Sequence, residues 1–244
     1  MSAGAVIGRS WELYRAHFGH LISIAFIVFA LIALFTLALI VLLGDLGALI
    51  AAFVSVAGVF WLQGALVVAI DDVRDGRADL SIRETIGRVR PRMNTLSIAA
   101  VVITIALIAC AFVIFIGFLL FILPGLLLLA GLFFLLVRWI LLVPVIVLEN
   151  RGLFASLDRS GELVRGHGWS VLGVILLTLL ILIGVAIVIG VALSPLDEDI
   201  QGPVSNLISS TLTSPFAALA WTLTYFELVG LKEAGPEPAP AAAA

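Results

Sequence analysis

Six long stretches of the chain are almost entirely apolar, and short polar segments separate them. A membrane-spanning helix needs about 20 mostly apolar residues, and each stretch is long enough. None shows the alternation of polar and apolar positions that is typical of transmembrane barrel strands. The pattern therefore predicts an all-α polytopic membrane protein with six transmembrane helices, at about residues 21–43, 46–70, 96–123, 126–148, 171–193 and 204–231.

The composition supports a membrane environment for most of the chain. Of the 244 residues, 63% are hydrophobic and only 12% are charged, and the mean hydropathy is +1.27. A soluble domain of this length cannot hide such an excess from water, and a disordered chain would be far more polar. We therefore expect residues 1–232 to form one membrane domain, followed by a disordered Ala/Pro-rich tail at 233–244.

Basic residues are confined to one set of connecting segments. The predicted turns at 44–45, 124–125 and 194–203 contain no Lys or Arg, and the other segments hold twelve of the thirteen in the chain. Because cytoplasmic loops of membrane proteins carry the excess of Lys and Arg, both termini are expected on the cytoplasmic side. The expected location is the plasma (inner) membrane. The first apolar run is too long for a signal peptide, so we interpret it as a retained helix.

The basic segments that precede the three predicted hairpins look amphipathic. Residues 7–18 carry apolar side chains at helical spacing. Ser81 and Glu84 form a capping-box pattern, which predicts the start of a helix. Pro91 is expected to kink or end that same helix. Residues 153–165 have a sparser apolar stripe. Each segment therefore predicts a cytoplasmic helix that lies in the membrane interface.

Two of these segments are similar in sequence at an offset of 150 residues, which indicates internal duplication. The pattern predicts one unit used three times: an interfacial helix followed by a hairpin of two spans. The middle copy matches in position and character but not residue by residue. The identities pair Arg9, Ser10, Glu12, Leu13, Arg15 and His17 with Arg159, Ser160, Glu162, Leu163, Arg165 and His167.

Residues 120–175 contain Pro124-Gly125, Arg138-Trp139, Glu149 and Arg159-Ser160. With these residues the chain resembles the membrane-domain family of glycerophosphodiester phosphodiesterases and its stand-alone relatives. The resemblance implies a six-span bundle. In fused relatives, catalysis belongs to a separate soluble barrel domain, so the resemblance implies no catalytic mechanism for this region, and we expect a stand-alone relative without that domain.

Arg138 is the only cation inside a predicted span. If the fourth span is one straight helix, Arg138 lies 11 residues before Glu149, which is about 16 Å deep at 1.5 Å per residue. A guanidinium at that depth costs about 2.5 to 3.5 kcal/mol, so it should face the bundle interior. Gln63, Thr213 and Ser214 are the candidate partners. Two interpretations remain open: an internal hydrogen-bonded staple, or a buried polar or anion site.

A second candidate site lies at the predicted inner rim, where acidic and basic residues could form ion pairs or contact anionic lipid headgroups. Each basic residue near such a surface contributes about 1 kcal/mol. Membrane lipids are the expected partners. The candidate residues are Arg9, Glu12, Arg15, Glu149, Arg159, Glu162, Arg165 and Glu227.

The residue patterns give little support for an enzyme. The three histidines lack the spacing of a zinc protease motif, and Cys110 is a lone cysteine in apolar surroundings. We expect no metal, no cofactor and no nucleic-acid partner. The expected function is a non-enzymatic membrane module with an accessory or lipid-associated scaffold role. The alternative is a small transporter or lipid-handling protein with a polar path lined by Arg138 and the sixth span.

Overall fold

The computed structural model describes residues 2–74 and 80–233, and this part of the chain is helical and contains no strand. Arg77 and the part of the predicted tail from residue 234 onward lie outside the described residues. The helices are α1 (Ala3–Ala16), α2 (Phe18–Arg74), α3 (Ile82–Val89), a 3-10 turn (Arg90–Arg92), α4 (Met93–Leu120), α5 (Ile122–Trp139), α6 (Leu142–Leu148), α7 (Leu153–Val164), α8 (Gly168–Ala192) and α9 (Glu198–Glu233).

The 57 residues of α2 form a hairpin of two helical halves. Gly44 has φ 57° and ψ −132°, a left-handed conformation that glycine adopts without strain. Beyond Gly44 the chain runs back along the first half of the helix. The hydroxyls of Thr36 and Ser55, one from each half, lie 3.3 Å apart. Residues 36 and 55 of the two halves therefore lie side by side.

The second hairpin turns three residues earlier than predicted. Phe121 is extended (φ −158°, ψ 149°) and separates α4 from α5. Pro124 lies within the first turn of α5, where a missing backbone N–H leaves no helical hydrogen bond unmade. Gly117 and Gly125 lie on the two sides of this turn, and a side-chain carbon on either one would crowd the opposite helix. The two glycines allow α4 and α5 to approach closely.

Four helical stretches of the described residues are long and apolar enough to cross a membrane: Phe18–Arg74, Ile82–Leu120, Ile122–Leu148 and Gly168–Ala192. The first contains the reversal at Gly44. α9, which corresponds to the predicted sixth span, is not among the four. The membrane character is therefore supported, whereas the count of six spans is not confirmed.

The three amphipathic segments all form helices. Ser81 and Glu84 make the predicted capping box at the start of α3, and the helix ends at Val89, just before Pro91. In each segment a small hydroxyl residue is completely buried: Ser10 in α1, Thr85 in α3 and Ser160 in α7. A buried hydroxyl allows a helix to pack closely while its oxygen still donates to a carbonyl.

The three amphipathic helices each pack against long helices that precede them in the chain, except α1, which packs against the last two. α3 packs against α2, α7 packs against α5 and α6, and α1 packs against α8 and α9. The contacts of α1 thus bring the start of the described chain to its last two helices. Most of the arginines lie on or next to α1, α3 and α7, and the end of the molecule that carries these helices is called the arginine-rich end below. The buried core lies at this end and includes Tyr14 of α1, Val89 of α3 and Leu153 of α7. Toward the opposite ends of the hairpins the side chains become exposed, as at Leu42 and Phe121.

Candidate functional site at the arginine-rich end

Glu149 has three side-chain partners and lies at the centre of a polar cluster in the described part of the chain. Its Oε2 is 2.6 Å from Arg151 Nε, and its Oε1 is 3.1 Å from Arg159 Nε. The hydroxyl of Tyr225 donates to the same Oε1 at 3.2 Å. The Glu149 side chain is only 15% exposed, so these contacts replace most of its hydration.

The local chain path places Glu149 at this point. α6 ends at Leu148, and Asn150 adopts a left-handed conformation with φ 53°. This turn directs α7 back along the preceding hairpin, which brings Arg159 beside the carboxylate. Burial lowers the pKa of Arg159, but its pairs with Glu149 and Glu162 outweigh burial and raise that pKa above its usual range.

Arg138 does not face the bundle interior. Its side chain is exposed and lies against Gly161 of α7, and its carbonyl accepts a hydrogen bond from the Ser160 hydroxyl at 2.6 Å. Arg138 therefore lies against α7 with an exposed side chain, and the predicted orientation toward the bundle interior is wrong.

The predicted depth of Arg138 assumed one straight helix from Arg138 to Glu149. Pro144 cannot donate to the carbonyl of Ile140, and the helix breaks between α5 and α6 at residues 140 and 141. Measured from Ile122 instead, Arg138 lies about 24 Å along α5, close to the far side of a core about 30 Å thick.

The other members of the predicted buried site are not assembled around Arg138. Gln63 lines an apolar cavity of about 270 Å³ between α2, α5, α6 and α9, together with Trp139 and Trp221. The Thr213 hydroxyl donates to the carbonyl of Ser209 in its own helix, and Ser214 is half-buried. The structure therefore does not bring these four residues into one site.

The remaining rim residues are spread around the arginine-rich end. The Arg15 guanidinium lies 5.9 Å from the centre of the Trp11 ring, and Glu12 is exposed. The Arg165 carbonyl accepts a hydrogen bond from Lys232 Nζ at 3.3 Å. Arg9 and Glu227 line one cavity without forming an ion pair with each other in the described part of the chain. The predicted rim is thus a set of separate clusters.

Sequence reasoning missed three polar contacts that hold this end together. Arg151 and Tyr225 were not among the predicted partners of Glu149, and Tyr225 lies 76 residues away from it. Tyr14 donates to the Leu212 carbonyl at 2.9 Å, which ties α1 to α9. Pro215 is the available signal for that contact, because a proline in a helix disturbs the hydrogen bonds of the preceding turn.

Among the residues that the structure describes, no group of three His, Cys, Asp or Glu side chains is placed to hold a metal ion. Residues 119–229 match the family described as the membrane domain of glycerophosphoryl diester phosphodiesterase. The match confirms the resemblance predicted from the Arg138-Trp139 and Arg159-Ser160 motifs, and with the apolar helices it indicates an integral membrane module. No curated protein and no solved structure matches the chain.

Proposed function

We propose that the protein is a six-span, non-enzymatic membrane module that acts as a lipid-associated scaffold at the inner face of the plasma membrane. The six spans are the two halves of α2, then α4, α5, α8 and α9. The reversal at Gly44 supports counting α2 twice.

The length and internal hydrogen bonds of α9 support counting it as a span. Its 36 residues extend about 54 Å at 1.5 Å each, more than the thickness of the hydrocarbon core. Two of its hydroxyls are satisfied within the helix, since Thr213 donates to the Ser209 carbonyl and Thr224 to the Ala220 carbonyl. Such residues are compatible with a helix packed among others in a membrane.

The distribution of charge supports an orientation with both termini in the cytoplasm. The interfacial helices and the segments that follow the hairpins carry the Lys and Arg residues, whereas the opposite turns carry acidic residues such as Asp45 and Asp197. Two exposed tryptophans also support this orientation: Trp11 is 48% exposed and Trp169 is 88% exposed. Tryptophan favours the level of the lipid headgroups.

The observation that carries the scaffold role is the exposed guanidinium of Arg138. In the described part of the chain its side chain makes no hydrogen bond or ion pair, and it lies against Gly161 of α7. A cation so placed, at headgroup level and without a protein acceptor, is suited to an anionic lipid phosphate. The carboxylate of Glu149, by contrast, has three protein partners, which makes it a structural group and a poor catalytic base.

The transporter alternative would need a polar path through the bundle. The cavity at Gln63 reaches α9 at Ala218 and Trp221, but its lining is mostly apolar and Arg138 lies outside it. The scaffold is therefore the better-supported proposal. A transporter or lipid-handling protein would have to use the Gln63 cavity without Arg138.

Native mass spectrometry of the protein purified in mild detergent tests the scaffold role. Replacement of Arg138 by Gln should reduce the amount of co-purified anionic phospholipid, because the exposed cation is lost. Arg83→Gln is the matched control, since Arg83 is also exposed but lies on α3. Equal amounts of bound anionic lipid in wild type and Arg138→Gln would refute the proposal.

A further inference from the structure

The Gln63 cavity, about 270 Å³ in volume, is lined by residues of α2, α4, α5, α6 and α9 and opens at the side of the bundle. Val59 and Leu136 lie at its edge, because they line it and are nevertheless 38% and 37% exposed. Of the described residues that line it, none is charged and most are apolar. The part of a ligand that enters this cavity must therefore be uncharged.

The side-chain amide of Gln63 has no partner in this apolar lining. Gln63 is half-buried and makes no hydrogen bond in the described part of the chain. An amide can both donate and accept hydrogen bonds, and a polar group left unpaired among apolar side chains costs free energy. The amide is therefore available to a ligand that carries an uncharged polar group.

The break between α5 and α6 brings a second unpaired polar group to the same cavity. Ile140 and Pro144 both line it, and Pro144 has no N–H to donate to the Ile140 carbonyl. None of the turn and cap hydrogen bonds of the described residues reaches that carbonyl. Irregular backbone at membrane depth is tolerated where it is buried in protein or lines a cavity. The Ile140 carbonyl therefore lacks a donor, which a ligand hydroxyl can supply.

In the proposed orientation the cavity lies just below the level of the headgroups. Glu149 and Met93 belong to the arginine-rich end. Pro144 is about 8 Å from Glu149 along α6, and Ile103 is about 15 Å from Met93 along α4. The headgroup region on each side of a bilayer is about 5–8 Å thick. The cavity therefore faces the depth at which the ester groups of a glycerolipid join its acyl chains.

We propose that this cavity binds the backbone of a neutral glycerolipid with a free hydroxyl, of which diacylglycerol is the simplest. The hydroxyl donates to the Ile140 carbonyl, and an ester carbonyl accepts from the Gln63 amide. The acyl chains pass Val59 into the bilayer. A phospholipid fits less well, because its phosphate would meet no cation in this lining and its diacylated glycerol has no hydroxyl to donate.

This inference rests on the proposed membrane orientation but not on Arg138, and it adds a neutral-lipid site to the scaffold. Native mass spectrometry of the full chain tests it, in micelles that contain equal amounts of dioleoylglycerol and its acetyl ester, in which the hydroxyl is capped. The wild type should retain dioleoylglycerol in preference. Gln63→Leu should lower the retention of dioleoylglycerol about fivefold, which corresponds to the loss of one hydrogen bond.

Gln201→Leu is the matched control. Gln201 is the other glutamine of the chain and is also half-buried, but it lies outside the cavity and donates to the Gly190 carbonyl. Val59→Trp is a second test that leaves Gln63 intact. A bulky side chain at this exposed edge narrows the opening, so retention of dioleoylglycerol should fall although the amide remains. The midpoint of thermal unfolding shows whether each variant is folded.

Three results would overturn the inference. Equal retention of dioleoylglycerol and its acetyl ester would show that the cavity takes up acyl chains without recognising the hydroxyl. Wild-type retention in both Gln63→Leu and Val59→Trp would show that the lipid binds elsewhere. A wild-type chain that retains neither lipid has no such site. The scaffold role is measured separately, with anionic phospholipid and Arg138→Gln, so its failure is distinguishable from each of these results.

Discussion

His17 and His167, 150 residues apart, have nearly the same backbone conformation. His17 has φ −117° and ψ 25°, and His167 has φ −122° and ψ 14°. Each joins an amphipathic helix to a long apolar helix, and each carbonyl accepts a hydrogen bond from the residue four positions on, Leu21 or Val171. The duplication seen in the sequence thus extends to the geometry of the joint. Only the second copy lies within the segment that matches the family.

Replacement of Glu149 by Gln should destabilise the protein by about 1–3 kcal/mol, because two arginines lose their counter-charge in a mostly buried setting. Thermal unfolding in detergent would measure the change. Glu162→Gln is the matched control, since the Glu162 side chain is 67% exposed and its contact with Arg159 is longer, at 3.5 Å. Equal effects of the two substitutions would contradict a central role for Glu149.

Arg138→Met should change stability by less than about 1 kcal/mol, because an exposed cation without a protein partner contributes little to the fold. Ser160→Ala should cost about 1 kcal/mol or more, because it removes a buried hydroxyl that donates to the Arg138 carbonyl. The midpoints of thermal unfolding of the two variants would be compared. A larger loss for Arg138→Met than for Ser160→Ala would restore the buried staple that the structure contradicts.

The sequence predicted the helices better than it predicted their contacts. Apolar runs and amphipathic stripes are local properties, so the long apolar helices and the short amphipathic helices could be assigned from them. The site of Arg138 could not, because it depends on whether α5 and α6 form one continuous helix across residues 140 and 141. The hydrogen bond between Tyr225 and Glu149 depends on how α9 packs against α6, and no local sequence pattern predicts that packing.

The two copies of the repeat also show that sequence similarity does not predict side-chain contacts. Arg9 and Arg159 are equivalent in sequence, and the similarity alone would predict equivalent ion pairs. Arg159 forms its pair with Glu149, whereas Arg9 faces a cavity opposite Glu227. The difference arises from the hairpin on which each helix packs, which is a tertiary feature.

Tyr14→Phe should lower stability by about 1 kcal/mol, because it removes the hydrogen bond to the Leu212 carbonyl that joins α1 to α9. Burial raises the pKa of Tyr14 from 10.0 to about 12. The folded state therefore favours the protonated phenol, and its contribution is complete below pH 10 and lost as the pH rises through about 12.

Absorbance titration of a Tyr225→Phe variant isolates the ionisation of Tyr14, since the chain has two tyrosines. A midpoint near the ordinary value for tyrosine would show that Tyr14 is not buried against α9.

Gly47→Ala should destabilise the first hairpin by about 1–3 kcal/mol, because the added methyl group would overlap the backbone carbonyl of Leu39 in the opposite half of α2. Gly131→Ala is the matched control. Nothing lies within 4 Å of a side-chain carbon at Gly131, so alanine there should be neutral or slightly stabilising in the helix. Chemical or thermal unfolding of both variants would be compared. Tolerance of Gly47→Ala would contradict the close reversal at Gly44.

The central claim is a membrane module with its arginine-rich end inside and its hairpin turns outside. Cysteine labelling in intact cells tests it most directly, in a Cys110→Ala background that removes the native thiol. Single substitutions Asp45→Cys and Ser194→Cys place a thiol at two of the hairpin turns, and Arg83→Cys and Glu162→Cys place one on α3 and α7.

A membrane-impermeant maleimide should label the cysteines at 45 and 194 in intact cells, and those at 83 and 162 only after the cells are permeabilised. Labelling of positions 45 and 83 from the same side, or of position 162 from outside, would contradict the proposed six-span topology.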